Sequence, residues 1–278
     1  MLFKYLDPDR IDVLDSNLIR FTQPADFNDP FEFKPSISTL ASRGEMDNVV
    51  EHELKNSLQT ELEKVPAEVR GLIPRAQLEA LTMEFYDQQW PKLEKQFLAM
   101  GDAFFQTFVQ KSNELIGVLS LTEKSNNLLM WSHYARSHKG FCIGFDENDP
   151  FFDQRRSDKD EFYYLRKVKY AKDRPTKSMM KLTGTELFLV KSDDWYYEQE
   201  WRMCAVLSDA HKTIETGTFP IQLFKFPRGA VKEVILGACM ENKLKDKLLN
   251  VLREKYEKVV VKQAIISSNE FKLNFVEL

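Results

Sequence analysis

Ile116-Gly117-Val118-Leu119-Ser120-Leu121 is an apolar run of strand length. It is followed by a short helical stretch, Leu128 to Ser137, and by a second strand-like run, Gly140 to Phe145. Reading onward, Glu161 to Tyr170, Glu200 to Leu207, Pro220 to Phe226 and Lys232 to Leu236 are also β-like. An amphipathic helix spans about Lys243 to Tyr256, with Leu244, Leu248, Val251 and Leu252 on one face. Lys258 to Ile265 and Phe271 to Val276 then read as strands. Strands outnumber helices here, and their connections are too irregular for a run of βαβ units. The class expected is therefore α+β, with a mixed or antiparallel sheet at the core.

Working back toward the N-terminus, Leu2 to Leu6 and Leu18 to Thr22 read as strands, with a short helix opened by Asp7-Pro8-Asp9 between them. Gln23 to Glu32 is a loop, because Asn and Asp side chains bond their own backbone and Pro fixes φ. From about Leu40 to Ser112 the composition turns to Glu, Lys, Gln and Leu, punctuated by Pro66, Gly71 and Pro74. Leu78, Leu81, Phe85, Leu93, Phe97, Phe104, Phe105 and Phe108 fall near helical spacing, with a kink or break allowed at Pro91. Sustained a/d heptads are missing, so the stretch reads as a helical insertion at about 40–112 packed on a β-containing core, with a coiled-coil partner surface as the other reading. The whole chain, 1–278, is expected as a single α+β domain.

Composition narrows the function. Apolar residues make up 43% and aromatic ones 12%, with twenty-one Phe, so there is material for a real core. The formal charge is −4, from 39 basic and 43 acidic residues, which lacks the basic surplus of a dedicated nucleic-acid binder. No apolar run approaches the ~18 residues of a membrane span. Met1-Leu2-Phe3-Lys4-Tyr5 lacks the features of a signal peptide. Cys142, Cys204 and Cys239 are isolated among apolar neighbours, unlike zinc ligands or a disulfide framework. A cytoplasmic protein with buried free thiols and no metal is the expectation.

Three segments hold chemistry-bearing side chains. In Trp195-Tyr196-Tyr197-Glu198-Gln199-Glu200-Trp201-Arg202, a strand over Tyr196 to Val206 would put Glu198, Glu200 and Arg202 on one face. Two carboxylates so placed raise one pKa or share a cation, unless Arg202 simply neutralises them on a solvated edge. The flanking aromatics suggest a walled cleft. In Phe27-Asn28-Asp29-Pro30-Phe31-Glu32, Asp29 and Glu32 are candidate acids or metal ligands, while Asn28 holds the turn. Glu32-Phe33-Lys34 has the form of the Glu-x-Lys element of magnesium-dependent nucleases, but no upstream acid stands on its own strand, so a structural turn is favoured. In Asn127 to Gly140, His133 and His138 would lie about 140° apart on a helix, a poor shared metal site. His133 is a candidate general base, and Trp131 and Tyr134, spaced i,i+3, either pack or wall a ligand. The basic and aromatic stretch Tyr163 to Arg174 is diluted by Asp158, Asp160 and Glu161 and reads as a solvated strand. Gly-x-Ser-x-Gly, Walker-type and Gly-x-Gly-x-x-Gly motifs are absent.

Taken in order, these blocks resemble a bacterial family known as domain of unknown function 2971. The resemblance runs from the Phe-Lys-Tyr strand and Phe27 to Glu32, through Leu119-Ser120-Leu121, Met130 to Ala135 and His138 to Asp146. It continues at Lys191 and Trp195 and ends at Glu200-Trp201-Arg202. It covers nearly the whole chain apart from the insertion and carries no settled activity. More distantly, the order of an N-terminal strand-helix-strand, a Ser-containing middle strand and a late Glu-x-Glu strand is similar to ADP-ribosyltransferases. That similarity implies NAD bound between two small sheets and a macromolecular or nucleotide acceptor. It makes Glu200 the ribose-binding catalyst, Glu198 the acceptor-activating residue and Ser120 the middle-strand serine. The first position departs from the pattern: Lys4 and Tyr5 stand in that strand without an Arg or His, and Arg20 in the next strand is the candidate replacement. Trp131, Tyr134 and Arg202 complete the expected cofactor-binding set, with Asn28, Asp29, Glu32 and Trp195 as further motif positions. A metal-dependent nuclease using Asp29, Glu32, Glu198 and Glu200 and a non-enzymatic binding module are the alternatives.

Overall fold

A computed structural model describes residues 1–34, 36–72, 74–174, 176–217 and 219–278. Along the first half run β1 (Leu2–Leu6), α1 (Asp12–Ser16), β2 (Leu18–Phe21), β3 (Ser36–Thr39), α2 (Arg43–Glu63), α3 (Ala67–Arg70), α4 (Arg75–Leu115), β4 (Ile116–Thr122), α5 (Leu128–Tyr134) and β5 (Phe141–Phe145). Then come β6 (Leu165–Lys167), β7 (Lys169–Ala171), β8 (Thr176–Ser178), α6 (Gly184–Phe188), β9 (Val190–Ser192), β10 (Glu200–Val206), β11 (Lys212–Ile214) and β12 (Ile221–Lys225). The last elements are β13 (Val231–Leu236), α7 (Asn242–Lys255), β14 (Val260–Ile266) and β15 (Leu273–Glu277). The class is α+β, as the strand count and irregular connections imply.

The chain divides into two units. One holds Met1–Lys34, Gln110–Arg174 and Gly184–Leu278, and the other Pro35–Val109 and Pro175–Thr183. The first is built on an eight-stranded sheet of order β15-β14-β13-β5-β1-β4-β10-β6. Within this sheet β13 and β14 pair in parallel and the other neighbours antiparallel. A parallel pair needs a crossover, and α7 provides it, burying Leu248 and Leu252. On one side of the sheet Phe141, Ile143, Leu119 and Met203 join these leucines in one core; on the other, Trp131 from α5 packs with Phe3, Tyr5, Cys142 and Ile235. A three-stranded sheet, β11-β12-β2, lies alongside, tied to β4 by the Thr22–Val118 bridge.

The second unit contains α2, α3, most of α4 and the parallel pair β3–β8. Its α2 begins at a capping box, in which Ser42 and Glu45 bond each other's backbone ends. Tyr86 and Trp90 are buried there, with the Arg43 guanidinium 5.1 and 5.0 Å from their ring centres. Helix α4 runs through Pro91 without a break. Of the helical face expected to pack, Leu93, Phe97, Phe105 and Phe108 are half-buried and Leu78, Leu81, Phe85 and Phe104 are exposed; the buried aromatics of this helix, Tyr86 and Trp90, were not among the residues expected.

Three local expectations need correction. Tyr196 to Val206 is not one strand. A 3₁₀ turn, Asp193–Glu198, leads to Gln199 in the left-handed region at φ 44°, and the strand starts at Glu200. Glu161 to Tyr170 gives two short strands, β6 and β7. Cys142 and Cys204 are buried thiols, but Cys239 is exposed. Among the described residues no helix is long and apolar enough to cross a membrane.

Candidate functional site

Five charged side chains that the chain separates by up to 170 residues meet in the first unit. Lys191, in the middle of β9, is placed by pairing with Tyr170 of β7. Its Nζ lies 2.7 Å from Glu198 Oε2, 3.1 Å from Glu32 Oε1 and 3.2 Å from Glu200 Oε2. Arg202 Nε and Nη2 donate to Glu200 Oε1 and Oε2 at 2.7 and 2.9 Å, and Nη2 also reaches Glu32. Its Nη1 donates to the Phe188 carbonyl oxygen at 3.0 Å. All five are buried, so three carboxylates share two cations where little water screens them.

The turn before β10 explains how Glu198 joins Glu200. On a continuous strand the two would align by alternation. Here the left-handed Gln199 reverses the chain, and Thr122 donates its hydroxyl to the Glu198 carbonyl oxygen to fix the corner. The Glu200 amide donates to the Tyr170 hydroxyl at 2.8 Å. Both carboxylates then face Lys191 by a route different from the expected alternation.

Burial alone would raise the Glu200 pKa, but Arg202 and Lys191 outweigh it and hold the group at about 2. For Glu32 burial prevails over the same two cations, and its pKa rises. Burial works against the Lys191 charge, yet the surrounding carboxylates leave its pKa above the ordinary lysine value.

A cavity of ≈ 260 Å³ opens against this cluster. Its polar wall includes Lys4, Asp26, Asn28, Ser120, Thr122, Tyr134, Lys191, Glu198 and Glu200, and its apolar wall Phe3, Tyr5, Phe27, Leu121 and Met130. Tyr134 donates its hydroxyl hydrogen to Glu198 Oε1 at 2.6 Å and accepts from Asn28 Nδ2 at 2.9 Å. Lys4 Nζ donates to the Ser120 carbonyl oxygen at 3.0 Å. Burial lowers the Lys4 pKa to about 8, against the opposing pull of Glu200.

The expected residues distribute as follows. Lys4, Tyr5, Asn28, Glu32, Ser120, Tyr134, Glu198, Glu200 and Arg202 line the cavity. The Tyr5 hydroxyl is turned to the Lys124 carbonyl oxygen at 2.7 Å. Arg20 is outside the lining and pairs with Asp26, which is part of it. Asp29 is buried away from the lining, its Oδ1 accepting the Phe31 amide of its own turn. Trp195 lies with its ring centre 4.8 Å from Lys191 Nζ. Trp131 is a core residue at 0% exposure, donating Nε1–H to the Ser125 carbonyl oxygen at 2.9 Å. His133 is exposed and outside the lining. Sequence reasoning named Lys191 only as a position of the family resemblance and missed its central part, for which the further signal was a lysine set between the apolar Leu189-Val190 and Trp195. Asp26 and Thr122, which also line the cavity, were missed as well. Among the described residues, no group of three or more His, Cys, Asp or Glu side chains is arranged to hold a metal ion.

Residues 130–203 match the model of a family described as Protein of unknown function (DUF2971). That span includes Trp131, Tyr134, Lys191, Trp195, Glu198, Glu200 and Arg202, whereas Lys4, Asn28, Glu32 and Ser120 lie outside it. No curated protein and no solved structure matches the chain.

Proposed function

We propose that this protein is a cytoplasmic enzyme of ADP-ribosyltransferase-like chemistry that takes the nicotinamide–ribose end of NAD into the cavity beside Lys4, Tyr134 and Glu198. The observation that carries the reading is the convergence of Lys4, Ser120, Tyr134, Glu198 and Glu200, from four separate segments, on one cavity. Perturbed titratable groups gathered in a concave site are where chemistry is expected.

The residues fit part of such a ligand. At ≈ 260 Å³ the space lies just below the ~300–1,000 Å³ of common ligand pockets, enough for a nucleoside-sized portion. Among the described residues the Lys4 ammonium has no carboxylate partner, so a ligand phosphate supplies its counter-charge. NAD brings a glycosidic bond whose cleavage leaves positive charge on the ribose. A carboxylate fixed in advance stabilises that charge without reorganising. Glu198, held at one oxygen by Tyr134 and at the other by Lys191, is assigned this role in place of the Glu200 that the resemblance implies, because Glu200 is gripped at both oxygens by the Arg202 guanidinium and positions Lys191. The acceptor is a macromolecule or a nucleotide.

One observation favours a second reading. Each carboxylate of the cluster already has a cationic partner, as suits a rigid, non-enzymatic nucleotide-binding module. The same pairing weakens the nuclease alternative, since Glu32, Glu198 and Glu200 are neutralised by side chains and Asp29 is held in its turn.

Incubating the protein with NAD and candidate acceptors, with and without a chelator, separates these readings. Nicotinamide release and thermal shift are followed for the wild type, Glu198→Gln, Glu200→Gln and Lys4→Met. Release lost in Glu198→Gln with the shift retained supports the transferase. A shift without release supports the binding module. Neither shift nor release from wild type rejects NAD.

A further inference from the structure

Strand β10 presents a second cavity on its other face. Alternation sends Glu200 and Arg202 to the side already described and Met203 and Ala205 to the opposite side, where they floor a cavity of ≈ 320 Å³. Phe151, Tyr163 and Phe224 supply aromatic walls, and Arg156, His211 and Lys225 stand at its polar rim. Its one acidic lining residue, Asp209, is already engaged: Arg156 Nη2 lies 3.2 Å from Oδ2, and the Tyr163 hydroxyl donates to the same oxygen.

Charge counting then leaves a surplus. Arg156 offsets Asp209, and among the described residues no carboxylate pairs with Lys225 or with the imidazole of His211. A rim with an uncompensated lysine favours an anion, and planar groups pack well on aromatic walls. The ring geometry is held firmly. Tyr163 has φ 61°, unusual for an aromatic residue, and is kept there by its amide donating to the Cys204 carbonyl oxygen at 2.8 Å. Its carbonyl oxygen accepts the Gln154 amide at 2.7 Å. The Arg156 guanidinium lies 5.2 Å from the Tyr163 ring centre, a cation–π contact between two residues of the lining.

We infer that this second cavity binds a phosphorylated planar ring of nucleoside monophosphate size, with the ring against Phe151, Tyr163 and Phe224 and the phosphate at Lys225 and His211. The site is distinct from the Lys4 cavity and does not depend on NAD binding there.

Calorimetric titration of the whole protein with AMP tests it, with adenosine and inorganic phosphate as separate arms. Saturable AMP binding is expected, weaker for adenosine and for phosphate alone, because each lacks half of the contacts. Lys225→Met, at an exposed side chain, should weaken AMP by at least about tenfold, the worth of a charge-assisted hydrogen bond, while Lys4→Met leaves it unchanged. Absence of AMP binding, binding indifferent to Lys225→Met, or binding lost in Lys4→Met would each overturn the assignment.

Discussion

Arg202 grips Glu200 from two residues along the same strand, its Nε and Nη2 donating to the two carboxylate oxygens at 2.7 and 2.9 Å. The planar guanidinium fork matches the carboxylate, and a third carboxylate oxygen, from Glu32, completes the arginine's contacts. Removing one member of such a group leaves the others charged and buried. Arg202→Met is expected to lower stability by about 3–5 kcal/mol, measured by urea unfolding. The double variant Glu32→Gln/Arg202→Met should lose less than the sum of the two single changes, because it removes one charge of each sign. Additive losses would mean that the ion pairs are energetically independent.

Acid stability should report Glu200. Its folded-state pKa of about 2 lies below the ordinary 4.5, so its contribution is fully present above 4.5 and is lost as pH falls through about 2. Glu32, with a raised pKa, acts in the opposite sense and offsets part of this. Unfolding curves between about pH 5 and about pH 2 should therefore show declining stability in the wild type and a shallower decline in Glu200→Gln. Parallel curves would remove Glu200 from the account.

Two neighbouring aromatic positions should behave very differently. Trp131 is fully buried and meets Tyr5 edge-to-face at 5.1 Å, so Trp131→Ala is expected to cost about 3–5 kcal/mol. His133 is exposed, and His133→Ala should stay within about 0.5 kcal/mol. Urea unfolding of both variants decides this. If His133→Ala also abolishes nicotinamide release, the general-base role considered for it returns.

These contrasts show which parts of the molecule are legible in a single sequence. Periodicity located α7 and most strands of the main sheet, since burying one face imposes a local pattern. Sheet order carries no such pattern: nothing near Lys4 announces that β1 lies between β4 and β5. The site was read partly for the wrong reason. Alternation was invoked to align Glu198 with Glu200, whereas a left-handed residue, Gln199, turns the chain between them. Lys191 was visible as a position of the family resemblance and as a lysine in an apolar setting, but its role was not, because the carboxylates that justify its burial lie up to 159 positions away, counting from Glu32 to Lys191. Trp131 and Tyr134 shared one spacing argument, and only tertiary packing sends the first into the core and the second to the cavity.

Lys4 should impose a pH limit on ligand capture. Its pKa is lowered to about 8 by burial, so the ammonium is present below that value and discharged above it. If a ligand phosphate pairs with this group, the thermal shift produced by NAD should shrink from about pH 7 to about pH 9, and Lys4→Met should remove that dependence. A shift equally large at both ends in the wild type would show that Lys4 does not bear the phosphate.

Tyr134 offers the most selective probe of Glu198. Burial first, and the Glu198 carboxylate second, push the phenol pKa well above its usual range, so the hydroxyl keeps its hydrogen and remains a donor at neutral pH. Tyr134→Phe conserves the ring and deletes that donor, leaving Glu198 Oε1 without its 2.6 Å partner. A buried acceptor left unsatisfied costs about 1–3 kcal/mol, which urea unfolding should detect. Asn28→Ala removes only the exposed amide that donates to Tyr134 from the other side, and should stay within about 0.5 kcal/mol. If Glu198 is the carboxylate that meets the ribose, Tyr134→Phe should also slow nicotinamide release more than it weakens NAD binding, because a less firmly oriented carboxylate loses most where charge develops. Equal effects on binding and release would instead place Tyr134 in ground-state recognition, with Glu198 a structural partner of Lys191.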